Sequence, residues 1–246
     1  MESFGQLRAN AQARRKWQVA RNLMGLSNDA FVLKGDVFST DTSSTSSVDT
    51  QTTVNTYCNL VDLAHFMCDD ENGAETVVKY SKMLADEDLL PASFHQDTLF
   101  ARSAILCYAA VRKTGKKKSL SLGRKYHKHV KMIGRKGNPN FHYFDKLLDA
   151  ELAALKGDSD VARKSYVDSI SLAGRQGLVN EQAVANERFA DYLIEYGDLQ
   201  EASFYYDAAI RLYAEWGAKV KVEKIQEKMA TKSRMIPPEL AEGAVA

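Results

Sequence analysis

Five histidines (His65, His95, His127, His129 and His142) and three cysteines (Cys58, Cys68 and Cys107) are the side chains best suited to hold a metal or attack a substrate. Their spacing argues against both uses. His127 and His129 stand two apart in a helical stretch, so they diverge by about 200° around the axis and cannot share an ion as an i, i+4 pair would. The cysteines contain no C-x-x-C pair, and each sits among apolar residues at helical spacing, where a free thiol behaves as a small buried hydrophobe. Asp69, Asp70 and Glu71 cluster at an expected helix end, where solvated acids are ordinary and need no proton-transfer role. No catalytic set, cofactor site or metal site is expected, and an odd number of thiols points to a reducing, cytoplasmic setting.

Charge gives the strongest signal outside the core. The chain of 246 residues is nearly neutral, yet residues 98–144 carry 12 Lys/Arg and no Asp or Glu. The flanks compensate, with 8 basic against 14 acidic residues over 1–97 and 13 against 18 over 145–246. Within the band, Arg124, Lys128, Lys131 and Arg135 fall within about 60° on a helical wheel, opposite Tyr126, Val130 and Ile133. Lys116, Lys117 and Lys118 lie in the turn before them. Such a stripe suits an acidic protein partner, or RNA or anionic lipid as the alternative, and it also suits neutralisation of the chain's own acidic ends.

The elements that must position these residues are helices. Only 4 prolines interrupt the chain, β-branched alternation is scarce, and Ala, Leu, Lys and Glu fill long 3.6-period stretches. Residues 1–38 read as a basic N-terminal helical segment, with Leu7, Trp17 and Met24 among its apolar residues and an organelle transit peptide as the alternative. Residues 39–53, with 11 Ser/Thr of 15, read as a disordered loop. Residues 54–230 read as helical repeats with a C-terminal capping helix, and residues 231–246 as a flexible tail. No apolar run is long enough for a transmembrane segment.

An internal repeat organises the middle. Residues 156–177 align with 196–217 at an offset of 40, matching Gly157 with Gly197, Asp158 with Asp198, Ala162 with Ala202 and Tyr166 with Tyr206. One step back, Tyr126, Val130, Met132 and Gly137 stand in the same frame. Each unit reads as a helix, a Gly-Asp turn and a second helix, with the glycine in the left-handed position and the aspartate capping the next N-terminus. Glu201, three after Asp198, completes a capping box. The aromatics Tyr126, Tyr166, Tyr206, Phe204, Tyr205 and Tyr213 read as core rather than as a base-stacking platform. A weaker pair precedes the repeat, Val54–Cys68 with Leu60, Leu63 and Met67, then Ala74–Leu84 with Val77, Tyr80 and Leu84. A terminal helix follows it, with Val222, Ile225 and Met229 covering the last pair and its charges facing out.

The small residues at Ala150, Ala162 and Ser169, and at Ala190, Ala202 and Ala209, with the tyrosines between, resemble the tetratricopeptide (TPR) repeat, although the period is 40 rather than about 34. The strings ELAALKGD (151–158) and ANERFADYLIEYGD (185–198) are similar to the helical repeat segment of large multidomain signalling proteins that join a protein-kinase-like domain, an AAA-type ATPase and a sensor histidine kinase. The resemblance covers residues 94–225, about half the chain. Neither a G-x-x-x-x-G-K-[ST] phosphate loop nor an H-R-D catalytic loop is present. What the resemblance implies is an all-α, TPR-like superhelical array of antiparallel helix pairs acting as a non-catalytic interaction and regulatory module. Its partner would be a protein, a signalling kinase or ATPase in cis or trans. The alternative is an anion-binding module using the band from Lys116 to Arg135.

Overall fold

The computed structural model describes residues 4–37, 50–84 and 94–234. Among them are ten α-helices and no strand: α1 (Phe4–Leu23), α2 (Thr50–Met67), α3 (Asp70–Leu84), α4 (Phe94–Thr114), α5 (Leu120–Arg135), α6 (His142–Lys156), α7 (Ser159–Arg175), α8 (Val179–Glu195), α9 (Leu199–Trp216) and α10 (Lys219–Arg234). Helices adjacent in sequence pack together, most closely as α4 with α5, α6 with α7 and α8 with α9. The all-helical expectation is met. The Ser/Thr-rich segment falls mostly on residues outside the described ones, but residues 50–53 form the first turn of α2 rather than loop. At the other end α10 continues to Arg234, past the expected boundary at residue 230, and the rest of the tail lies outside the described residues.

Local chemistry sets the pair turns. Gly157 and Gly197 adopt φ of 78° and 82°, in the left-handed region that a side chain resists. Asp158 N–H reaches back to the Ala153 carbonyl and Asp198 N–H to that of Leu193, each at 3.0 Å, which closes the end of the first helix. The same aspartates then open the next helix, accepting from the N–H groups of Val161 and Glu201 at 3.3 Å. The capping box is only half made, because the Glu201 carboxylate is taken by Arg163 instead.

The small-and-aromatic frame builds the core. Ala162, Ala202, Ala150 and Ala190 are fully buried and let neighbouring helices approach closely. Tyr166 stacks on Phe189 at 5.1 Å, and Tyr206 and Tyr213 are buried in the equivalent layer. Burying one such ring contributes roughly 2 kcal/mol. Phe204, by contrast, points outward and is 63% exposed, and Trp17 and Met24 of the N-terminal segment are also exposed. On α1 the inward side chains are Arg15, Gln18, Val19, Asn22 and Leu23. Asn22 donates to the carbonyls of Asp29, Ala30 and Val32 and so folds the following turn over the helix.

The leading pair packs on α4, its neighbour in sequence, and its side chains also reach further. A linear array keeps each repeat in contact with its neighbours only, whereas α2 and α3 touch α4 and also α8, more than a hundred residues away. His65 of α2 meets Glu181 of α8 at 3.0 Å. Asp70 of α3 accepts from Arg188 of α8 and from Lys113 of α4, each at 2.7 Å. Phe66 of α2 packs on Trp216 of α9, ring centres 4.9 Å apart. Lys221 of α10 donates to the Met67 carbonyl and to Glu187 of α8. Two sequence expectations are corrected here. Asp70 is not a solvated acid but is 3% exposed, and α10 does not carry all its charges outward, since Lys221 is buried and Lys228 reaches Asp191.

The acids of this interior are held ionised. Burial alone would push the carboxyls of Asp70 and Glu181 up, but Arg188 and Lys113 beside the first, and Arg102 and His65 beside the second, outweigh it and hold both down at about 2. Burial keeps His65 below its ordinary range against the pull of Glu181. The three thiols are free, and burial pushes each up to about 12, in keeping with their inert reading.

Two outcomes follow. Gly197→Ala should lower the unfolding free energy in urea by about 1 kcal/mol through backbone strain alone, since nothing lies within 4 Å of the added methyl. On acidification, the unfolded chain takes up a proton at histidine near pH 6.5 and at carboxylates near about 4, before the folded chain does. The urea midpoint should therefore decline from about pH 6.5 and drop further between about 4 and 2; a midpoint unchanged from neutral pH down to about 4 would contradict the buried network.

Candidate docking surface

The basic stripe is presented by α5 because the opposite side of that helix is committed to packing. Gly123, Tyr126, His127 and Val130 are buried. Tyr126 stacks on Phe100 of α4 at 5.0 Å, and Gly123 faces Tyr108 so closely that an added Cβ would lie 3.0 Å from its ring. With those positions turned in, the helical period turns Arg124, Lys128 and Arg135 out, and all three are exposed. Lys116, Lys117 and Lys118 are exposed as well, on a short 3-10 turn (Lys117–Ser119) that leads into the helix. The stripe residue that departs from this pattern is Lys131, which bonds to Asp149 of α6 at 2.8 Å.

The rest of the band divides by direction. Arg102, Arg112 and Lys113 of α4 turn toward acids of other helices: Arg102 to Asp62 and Glu181 at 2.6 Å, Arg112 to Glu195 and Glu151, and Lys113 to Asp70. These three do neutralise acids of the chain's own flanks, as one sequence reading allowed. The outward set does not. Lys116, Lys117, Lys118, Arg124, Lys128 and Arg135 form no ion pair among the described residues, and Lys125 and Lys136 extend the exposed set.

A groove of about 580 Å3 borders the lysine turn, lined by Lys116, Lys118 and Ser119 on one side and by Glu71, Glu75 and Lys79 of α3 on the other. The sequence reading did not pair α3 with this turn, because the contact joins segments about forty residues apart and has no local signature. No described helix is long and apolar enough to cross a membrane. No protein-family model, curated protein or solved structure matches the chain.

Surface cations that hold no partner should be dispensable for folding. The triple variant Arg124→Glu, Lys128→Glu, Arg135→Glu should unfold within about 0.5 kcal/mol of the parent in urea, and Lys131→Met should cost under about 1 kcal/mol because its pair is half-exposed. A loss of several kcal/mol in the triple variant would mean that this face is structural.

Proposed function

We propose that the chain is a non-catalytic, TPR-like interaction and regulatory module that docks an acidic segment of a protein partner, in a signalling system of the kinase or ATPase type, in cis or in trans. The observation that carries this reading is the exposed set of Lys116, Lys117, Lys118, Arg124, Lys128 and Arg135, which forms no ion pair among the described residues. Charge of one sign on a rigid helix face attracts an oppositely charged partner and orients it. The Gly-Asp pair turns and the small-and-aromatic frame support the TPR-like part of the reading. The resemblance over residues 94–225 supports the signalling context.

Ion pairs already tie α2 to α8 and α3 to α4 and α8, so the charged groups at those contacts are engaged within the chain. The partner surface in this reading is the exposed face of α5 and the turn before it.

Affinity purification of the endogenous protein through a C-terminal tag, compared with the same protein carrying Lys116→Glu, Lys118→Glu, Arg124→Glu and Lys128→Glu, tests the proposal. The expected result is a kinase or ATPase that accompanies the parent and is lost from the variant, or that forms part of the same polypeptide. Recovery of RNA or anionic lipid instead, with an affinity that falls with salt at a log–log slope near −0.7 to −0.9 per phosphate contacted, would replace it with the anion-binding alternative.

A further inference from the structure

His127 lies on the flank of the stripe, but its side chain turns inward and is 5% exposed. Its Nε2 atom has no hydrogen-bond partner in a buried position, where an unsatisfied ring nitrogen is costly. That atom points between two carboxylates of α6: Asp145 Oδ1 and Asp149 Oδ1 each lie 3.5 Å away, beyond a good hydrogen bond. Asp145 Oδ1 is likewise buried and without a partner. All three ligand atoms lie within 4.8 Å of one another.

These distances suit an ion better than a hydrogen bond. Two ligand atoms about 2.1 Å from a metal and disposed tetrahedrally around it stand roughly 3.4 Å apart, close to the 3.5 Å found on both sides of His127. Asp145 and Asp149 are four apart on α6, so both project to one face. Both carboxylates are about a quarter exposed, which leaves room for small rotations and for water to complete the shell. The histidine is also oriented from behind. Tyr108 Oη is 3.3 Å from His127 Nδ1, and the two rings meet edge to face. With a metal on Nε2, the ring proton sits on Nδ1 and is donated to that phenolic oxygen, the arrangement by which metal-bound histidines are held.

We propose that His127, Asp145 and Asp149 form a binding site for a divalent transition-metal ion of the zinc type, clipping α5 to α6. One imidazole and two carboxylates favour such an ion over Mg2+ or Ca2+, which take oxygen ligands throughout. Lys131 is the competitor: its ammonium bonds to Asp149 Oδ1 at 2.8 Å and must swing away as the ion enters, which its half-exposed side chain permits. Lys146 also lies near enough to act on Asp145, so the two carboxylates face two ammonium groups, of which only Lys131 bonds to a ligand atom of the site. This proposal rests on the α5–α6 geometry and is independent of the docking reading.

Zn2+ titration of the chelator-stripped full chain by isothermal calorimetry, with Co2+ as an absorption probe, tests it. One equivalent of Zn2+ should bind, and Co2+ should give ligand-field bands without a thiolate charge-transfer band. Asp145→Asn should weaken binding at least about tenfold, while Lys131→Met should tighten it about tenfold by removing the competing charge. The second change is a gain, so a folding defect cannot imitate it. Absence of Zn2+ binding at neutral pH overturns the proposal, as does binding that neither variant alters or a Co2+ spectrum dominated by thiolate.

Discussion

The guanidinium of Arg188 is 2% exposed and lies between Asp70 of α3 at 2.7 Å and Glu151 of α6 at 3.4 Å, so three helices distant in sequence are fixed relative to one another by one cation. A charge so placed cannot be left unpaired, because the desolvation it has suffered is recovered only from its partners. Each partner is itself shared: Asp70 also takes Lys113, and Glu151 faces Arg112, which continues to Glu195. Along α8 the charged residues Glu181, Arg188 and Glu195 recur every seven positions, so the chain of pairs runs the length of that helix. Every residue from Ala183 to Ala190 is buried, so the middle of α8 runs through the interior.

This constraint explains the division of labour between the two sides of the basic band. The cations of α4 turn to neighbouring helices because the buried carboxylates of Glu181, Glu151 and Asp70 must be compensated. The cations of α5 other than Lys131 face water because that helix packs through Gly123, Tyr126 and Val130. A buried pair adds little net stability over an apolar substitute, but breaking one costs about 3–5 kcal/mol. The network thus selects one arrangement of α2 and α3 against all others. On the exposed face, by contrast, charge changes are cheap for the fold.

Much of the helix plan was legible in the sequence because its signals are local. The Gly-Asp turns at 157–158 and 197–198, and the spacing of Ala162 to Tyr166 and Ala202 to Tyr206, act within a few residues, and period alone places them. The stripe of Arg124, Lys128 and Arg135 was legible for the same reason, since a helical wheel needs only the helix. What was illegible acts across the chain. His65 and Glu181, Asp70 and Arg188, and Lys221 and Met67 are joined by the closing of the stack, for which no period exists. One trace was present in ANERFADYLIEYGD, where Glu187 and Arg188 stand among Ala and Phe at core positions. Charges inside an apolar stripe announce buried pairs, although the stripe alone does not name the partners. The exposure of Phe204 follows from the same limit: Tyr206 and Tyr213 occupy the inward positions of α9, and one helix face holds only some of its aromatics.

The central claim is that α2 and α3 are bolted to α8 by buried charge and belong to the same cooperative unit as the repeats. Native-state hydrogen exchange read by mass spectrometry on the parent and on Arg188→Met tests it most directly. The expected result is that amides of α2 and α3 in the parent are protected as strongly as those of α8, and that the substitution lowers their protection by about 3 kcal/mol or more. Amides of α2 and α3 that exchange through fraying in the parent, at a rate Arg188→Met leaves unchanged, would contradict it.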